Sequence, residues 1–176
     1  MGTYFEQFHM NVEVRTQWPP FEGEPVDRYS PRVDLAIGPF ADQDSRREWE
    51  YDKLTELSSP FLNQLLELFR KNSKGFSFQS GIPTDCEWLN SVNPNARCFI
   101  CIEIERIGTR KHRIGDIINA CSLGRVGVII AWDRSVLESF LRIAEYFTFL
   151  RGRGKPTCET RNLVVVSKEQ FRSSIP

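Results

Sequence analysis

The sequence predicts an α/β fold, a sheet whose parallel strands are joined by crossover helices, and three observations predict it. Residues 126–132 form a continuous apolar run, as expected for a strand in the middle of a parallel sheet. From residue 98 to 166 the patterns run strand, helix, strand, helix, strand, the order of right-handed crossover units. Earlier, Val33, Leu35 and Ile37 alternate with Asp34 and Ala36, the period of a strand. With 176 residues, 40% hydrophobic and 26% charged, the chain is of a size for one domain, 1–176, with its own core.

In chain order, Phe8, Met10, Val12 and Val14 alternate with His9, Asn11, Glu13 and Arg15, which predicts a half-buried strand over 8–15. Trp18-Pro19-Pro20 ends it, and a loop rich in Pro, Gly and Glu runs to Pro31. The strand at 33–37 is closed by Gly38-Pro39. Residues 44–57 carry a helical pattern, with Asp44 or Ser45 as cap and Trp49, Leu54 and Leu57 on one face. A second helix has Ser59 as cap, Pro60 in its first turn and an apolar face of Phe61, Leu62, Leu65, Leu66, Leu68 and Phe69. Asn72 and Gly75 stop it. Phe76 and Phe78 suit a short strand, and 79–96 reads as a long loop of the kind that often serves function. After the strand at 98–105, Gly108-Thr109 turns the chain. Ile114, Ile117, Ile118 and Cys121 then recur at helical spacing up to Gly124. Asp133 or Ser135 caps the next helix, whose apolar face is Val136, Leu137, Phe140, Leu141, Ala144 and Phe147, and Gly152 and Gly154 end it. Residues 163–166 give a last short strand.

Formal net charge is zero but unevenly spread. Residues 1–95 hold nine Lys and Arg against fifteen Asp and Glu, and the remainder holds fourteen against eight. A basic second half suits an anionic partner, although charges of two halves also interleave in space. No apolar run nears the ~20 residues of a spanning helix, and the first residues lack the basic and apolar regions of a secretory signal, so neither a membrane nor export is expected. Five cysteines, several in apolar segments, point to reduced thiols and a cytoplasmic protein. Cys98-x-x-Cys101 is a single pair on a strand, which fits buried cysteine better than zinc or redox chemistry. There is no Gly-x-Gly-x-x-Gly after a strand and no Walker loop, which argues against dinucleotide and P-loop nucleotide binding.

The acids inside apolar strands carry the chemistry. On strand 98–105, Phe99, Cys101, Glu103 and Glu105 share one face, and the two carboxylates stand about 6–7 Å apart at about 3.3 Å per residue. Asp34 is a third acid in an apolar strand. If the two strands are neighbours the three carboxylates converge, and their repulsion needs a cation; all-oxygen ligation suits Mg²⁺ or Mn²⁺. The plainer alternative puts the glutamates at the exposed strand end, paired with Arg106 or Arg32. Next comes Thr109-Arg110-Lys111-His112-Arg113, at the start of a helix that begins near Glu105. Its first-turn amides and cations suit a phosphate, with Lys111 on the stripe of Ile114 and Ile118. A solvated basic turn is the alternative, and cations at a helix N-terminus oppose its dipole. Asp116 and His112, four apart, are read as a surface hydrogen bond, and Arg151-Gly-Arg153-Gly-Lys155 as a helix C-terminus.

An Asp in an apolar strand, a later strand with Glu-x-Glu, then a helix and another apolar strand resembles the PD-(D/E)xK superfamily of metal-dependent, restriction-endonuclease-like nucleases. The resemblance covers residues 31–132 and rests on a short, degenerate motif. It implies a mixed sheet flanked by helices, with Asp34, Glu103 and Glu105 as metal ligands. Glu105 stands where Lys is usual, and Lys111 from the following helix takes the lysine's part. The gap between Asp34 and Glu103 is longer than usual. Asp85, in Pro83-Thr84-Asp85, is the alternative first acid at a more typical distance.

The function so implied is hydrolysis of nucleic acid phosphodiesters, of DNA in the first instance. Asp34, Glu103, Glu105 and Lys111 would be catalytic, Mg²⁺ or Mn²⁺ the cofactor, and Arg110, Lys111 and Arg113 the phosphate contacts. A homodimer would suit cleavage of both strands of a duplex. The alternative is an inactive nuclease-fold module that binds nucleic acid or protein. An unrelated small-molecule hydrolase lacks a recognisable nucleophile.

Overall fold

The computed structural model describes residues 12–24, 30–41 and 47–175. Five strands form one sheet in the order β1-β2-β3-β4-β5: β1 (Val14–Trp18), β2 (Val33–Ile37), β3 (Cys98–Glu105), β4 (Gly124–Ala131) and β5 (Leu163–Ser167). β1, β2 and β3 run antiparallel to their neighbours, while β3, β4 and β5 are parallel. The sheet is therefore mixed, and it is flanked by helices. These are α1 (Glu48–Leu57), α2 (Ser59–Asn72), α3 (Arg110–Leu123), α4 (Arg134–Gly152) and the short α5 (Lys168–Ser174).

The sequence pattern explains most of this. β4 is buried along its whole length, as its apolar run requires. α4 opens on Asp133, whose side chain accepts from the Val136 N–H at 2.9 Å, and buries Val136, Phe140, Leu141, Ile143, Ala144 and Phe147. α2 begins with Pro60 in its first turn and buries Phe61, Leu62, Leu65, Leu66 and Phe69. Its last residue, Asn72, donates to the Val165 carbonyl of β5 at 3.1 Å, fixing the helix against that strand.

Several elements differ from the sequence reading. The first strand starts at Val14; residues 8–11 lie outside the described residues, as do the caps Asp44 and Ser45. Phe76 and Phe78 form turns, because both rings fold onto each other and Phe78 onto Phe69 in the core. The loop at 79–96 contains two 3₁₀ turns, Gln79–Gly81 and Glu87–Ser91. It is pinned by Arg125, a fully buried guanidinium on β4 that donates to the carbonyls of Asn90, Asn93 and Glu48 and to the Asp52 carboxylate. α5 was not expected. Ser167 and Gln170 make a capping box, with the Gln170 N–H on Ser167 Oγ and the Ser167 N–H on Gln170 Oε1.

One packing contact sets the position of α3. A Cβ at Gly127 of β4 would collide with the backbone of Ala120 and Cys121 on α3, so the helix sits as close to the sheet as a glycine permits. Ile117, Ala120 and Cys121 face inward, and Ile118 is 38% exposed. The inward stripe is thus turned away from Ile118, while Ile114 stays half-buried against the core, and other residues of the helix are carried over β3. The Asn93 amide, reaching the carbonyls of Cys121, Ser122 and Gly124, and the Asn162 amide, reaching those of Cys121 and Gly124, hold the C-terminal end of α3.

Candidate functional site

The antiparallel register of β2 and β3 pairs Leu35 with Ile102 and Ala36 with Cys101. One step further, Asp34 stands beside Glu103. The Asp34 N–H donates to Glu103 Oε2 at 3.3 Å, and the Ile104 N–H donates to Asp34 Oδ2 at 2.8 Å. On the other side, Gln17 of β1 donates from Nε2 to Asp34 Oδ1 at 3.0 Å. Gln17 has φ 49°, a left-handed conformation that costs a non-glycine residue about 1–2 kcal/mol.

α3 closes the site. Thr109 caps it by accepting from the His112 N–H, and the helix then presents Lys111, His112, Gly115, Asp116 and Asn119 along one face. Asn119 donates to Glu103 Oε1 at 3.2 Å. Asp116 lies against Glu105. Glu105 itself accepts from the N–H groups of Ile107, at 2.7 Å, and Gly108. A Cβ at Gly108 would overlap the Glu105 carboxylate, so only glycine leaves room for this arrangement.

These residues line an open cleft of about 520 Å³, whose walls are Arg32, Asp34, Glu103, Ile104, Glu105, Gly108, Lys111, His112, Gly115, Asp116 and Asn119. Four carboxylates from β2, β3 and α3 share it. Among the described residues, none of the four is in an ion pair. Burial pushes the Glu103 carboxyl up to about 7; hydrogen bonds from the Asp34 N–H and Asn119 oppose the rise, and the Asp34 charge adds to it. Burial also lifts Asp116 to about 7, reinforced by the charges on Glu105 and Asp34. The cleft is a place where negative charge is costly and a cation would relieve the cost.

No protein-family model matches the chain, and neither a curated protein nor a solved structure is significantly similar to it. The site therefore has to be read from its own chemistry.

Of the residues expected from sequence, Asp34, Glu103, Glu105 and Lys111 line the one cleft. Asp85 does not; it sits in the 79–96 segment, exposed, and accepts from the Glu87 N–H. Arg110 is exposed at the start of α3 and is not among the cleft's walls. Arg113 departs from the expected phosphate contact. Its Nη1 donates to Ser139 of α4 at 2.8 Å and its guanidinium lies over Phe140, because the rotation of α3 turns position 113 toward α4. Neither glutamate pairs with Arg32 or Arg106. The Arg106 guanidinium lies over the Trp132 ring instead, with Cζ 5.3 Å from its centroid. Cys98 and Cys101 are free and buried, with their thiols on the Leu123 and Asn119 carbonyls.

Asn119 and Gln17 were missed, and Asp116, read as a surface partner of His112, lies against Glu105 instead. Asp116 and Asn119 follow His112 by four and seven residues, so one helix face carries all three. That signal is legible once the helix's rotation is known.

The donor set is oxygen-rich, which fits a hard cation such as Mg²⁺ or Mn²⁺ and not a thiolate-seeking metal. Among the described residues, no group of three or more His, Cys, Asp or Glu is already arranged to hold a metal ion. Asp34 and Glu105 spend oxygens on main-chain N–H groups.

Among the described residues no helix is long and apolar enough to cross a membrane.

Proposed function

We propose that the cleft is the centre of a metal-dependent phosphodiester hydrolase acting on nucleic acid, built on a restriction-endonuclease-like core. The observation that carries this reading is the gathering of Asp34, Glu103, Glu105 and Asp116 in one open cleft with Arg32, Lys111 and His112 around it. The adjacency of Asp34 on β2 and Glu-x-Glu on β3 supports the PD-(D/E)xK resemblance, as does Lys111 on the helix that follows. Asp34, Glu103 and Glu105 would hold Mg²⁺ or Mn²⁺, with Asp116 beside them. When bound, the cation supplies an acidified water and neutralises charge on the phosphate. Lys111 and Arg32 bind the substrate phosphate and offset the charge that develops on it. Asn119 and the Asp34 N–H orient Glu103. DNA is the first substrate to test, and a homodimer would serve a duplex.

The test is cleavage of plasmid DNA, single-stranded DNA and RNA with Mg²⁺ or Mn²⁺, by the parent chain and by Glu103→Gln. Cation-dependent cleavage that falls at least about a hundredfold in the variant is expected, the scale of losing a group acting in the transition state. Equal cleavage by both proteins sinks the mechanism.

A second reading draws on the main-chain hydrogen bonds to Asp34 and Glu105, which also suit carboxylates that hold turns and strand ends together. In it the chain is an inactive nuclease-fold module that binds nucleic acid or protein. Calorimetry then shows no Mn²⁺ binding, and EDTA leaves any nucleic-acid binding unchanged.

A further inference from the structure

Large apolar side chains stand exposed at the carboxyl end of the parallel strands. Trp132, directly after β4, is 39% exposed, Ile104 of β3 43% and Ile107 80%. The Trp132 N–H donates to the Glu105 carbonyl at 3.0 Å, so this cluster begins one residue from the carboxylate cleft. Side chains alternate along β3, so Ile104 points to the other side from Glu103 and Glu105, yet it also stands at the edge of the carboxylate cleft, and the cluster adjoins the acids at the sheet end.

Cations frame the indole. Lys168 Nζ, at the start of α5, is 3.9 Å from the Trp132 ring centroid, and Arg106 Cζ is 5.3 Å from it. Lys168 also approaches Glu169 at 3.5 Å; Arg106, Arg110 and Lys111 are exposed and, among the described residues, in no ion pair. The sheet end thus combines a part-exposed indole, a guanidinium and an ammonium over its ring, and exposed cations leading to the cleft. An aromatic face flanked by phosphate-binding cations is the chemistry of base stacking on a nucleic acid strand.

We propose that Trp132, with Arg106 and Lys168, is a stacking platform for an unpaired base of single-stranded nucleic acid whose backbone continues into the carboxylate cleft. This rests on the phosphodiester reading of that cleft and names its substrate class. A duplex keeps its bases stacked inside and is stiff over about 150 base pairs, so it offers no free base face to Trp132. A single strand can turn over the sheet end, laying one base on Trp132 while a neighbouring phosphate faces Lys111.

The experiment is fluorescence anisotropy of labelled oligo(dT), oligo(rU) and a duplex of equal length, titrated with the full chain in EDTA at low salt. Both single strands are expected to bind more tightly than the duplex, and comparison of the two shows whether DNA or RNA is preferred. Trp132→Ala is expected to weaken single-strand binding about tenfold, and Trp132→Phe to retain most of it. Trp132→Leu keeps apolar bulk without an aromatic face, and guards against a loss due only to packing. Equal binding by Trp132→Leu and the parent, tighter binding of the duplex, or no binding of either single strand overturns the proposal. The two readings fail separately. Stacking without cleavage leaves the platform standing and removes the hydrolase, and cleavage indifferent to position 132 does the reverse.

Discussion

Glu103→Gln, studied in EDTA, measures what the buried charge costs the fold. Residue 103 is 5% exposed, and burial lifts its carboxyl from the ordinary 4.5 to about 7. The folded chain therefore holds this proton more tightly than the unfolded chain does, and folding takes up a proton between those two pH values. The group's contribution to stability is fully present below pH 4.5, declines as pH rises, and is lost once pH passes 7. At about 1.4 kcal/mol for each pH unit, the interval corresponds to roughly 3 kcal/mol lost by pH 8. Glutamine keeps the shape and can still accept from the Asp34 N–H, but it carries no charge. Asp116 keeps its own pH dependence, since burial lifts it from 3.8 to about 7. Removing the charge at 103 takes away one of the two slopes and eases the other. Urea unfolding at pH 5, 6, 7 and 8 is the assay. The stability difference, variant minus parent, is expected to rise with pH by about 2–3 kcal/mol. Parallel profiles for the two proteins would refute the claim that Glu103 is a costly buried acid.

Two further perturbations test the structure around the cleft and beneath it. In Gly108→Ala the new methyl group evicts the Glu105 carboxylate from the N–H groups of Ile107 and Gly108, at an expected cost of about 1–2 kcal/mol since water reaches this turn. A change below about 0.3 kcal/mol in urea unfolding would show that Glu105 is not held there. In Arg125→Lys a single ammonium replaces a fork that serves three carbonyls and Asp52, and a loss of about 3 kcal/mol is expected, with the 79–96 segment becoming the first site of proteolysis. Unchanged stability and protease resistance would place the anchor of that segment elsewhere.

How much of this was legible depended on which degrees of freedom the sequence encodes. Strand alternation has a period of two, so the side of β3 that carries Glu103 and Glu105 followed from the apolar pattern. Asp34 interrupts an equally apolar strand, and antiparallel pairing brought it beside Glu103. The helices α2, α3 and α4 announced themselves by spacing, and α4 by its cap Asp133 as well; Ser59, read as the cap of α2, is its first residue, and Ser58 before it makes no side-chain cap. The rotation of α3 about its axis did not. Ile114, Ile117, Ile118 and Cys121 define a broad stripe, and which edge of it faces inward is set by a contact with another element. Gly127 of β4 admits the backbone of Ala120, and that approach turns Asp116 and Asn119 over the acids and Arg113 toward α4. Burial of Arg125 was illegible for a related reason: three of its four partners are main-chain carbonyls, which carry no residue signature, and the fourth, Asp52, is 73 positions away on α1.

The same geometry bears on the glutamate that stands where the pattern the chain resembles has lysine. Glu105 closes the turn after β3 by accepting two main-chain N–H groups, and Gly108 exists to leave it space. A lysine at 105 offers no acceptor and would abandon both N–H groups. The turn thus needs an acceptor at 105, and on the proposed hydrolase reading a cation for the substrate comes from another element. The first turn of α3 supplies Lys111 to the cleft from the helix end where the dipole disfavours it. Four nearby carboxylates offset that cost, and Lys111 in turn reduces their repulsion. On the proposed reading Glu105 and Lys111 are one arrangement, an acid committed to the backbone and a cation six residues downstream on the wall of the same cleft.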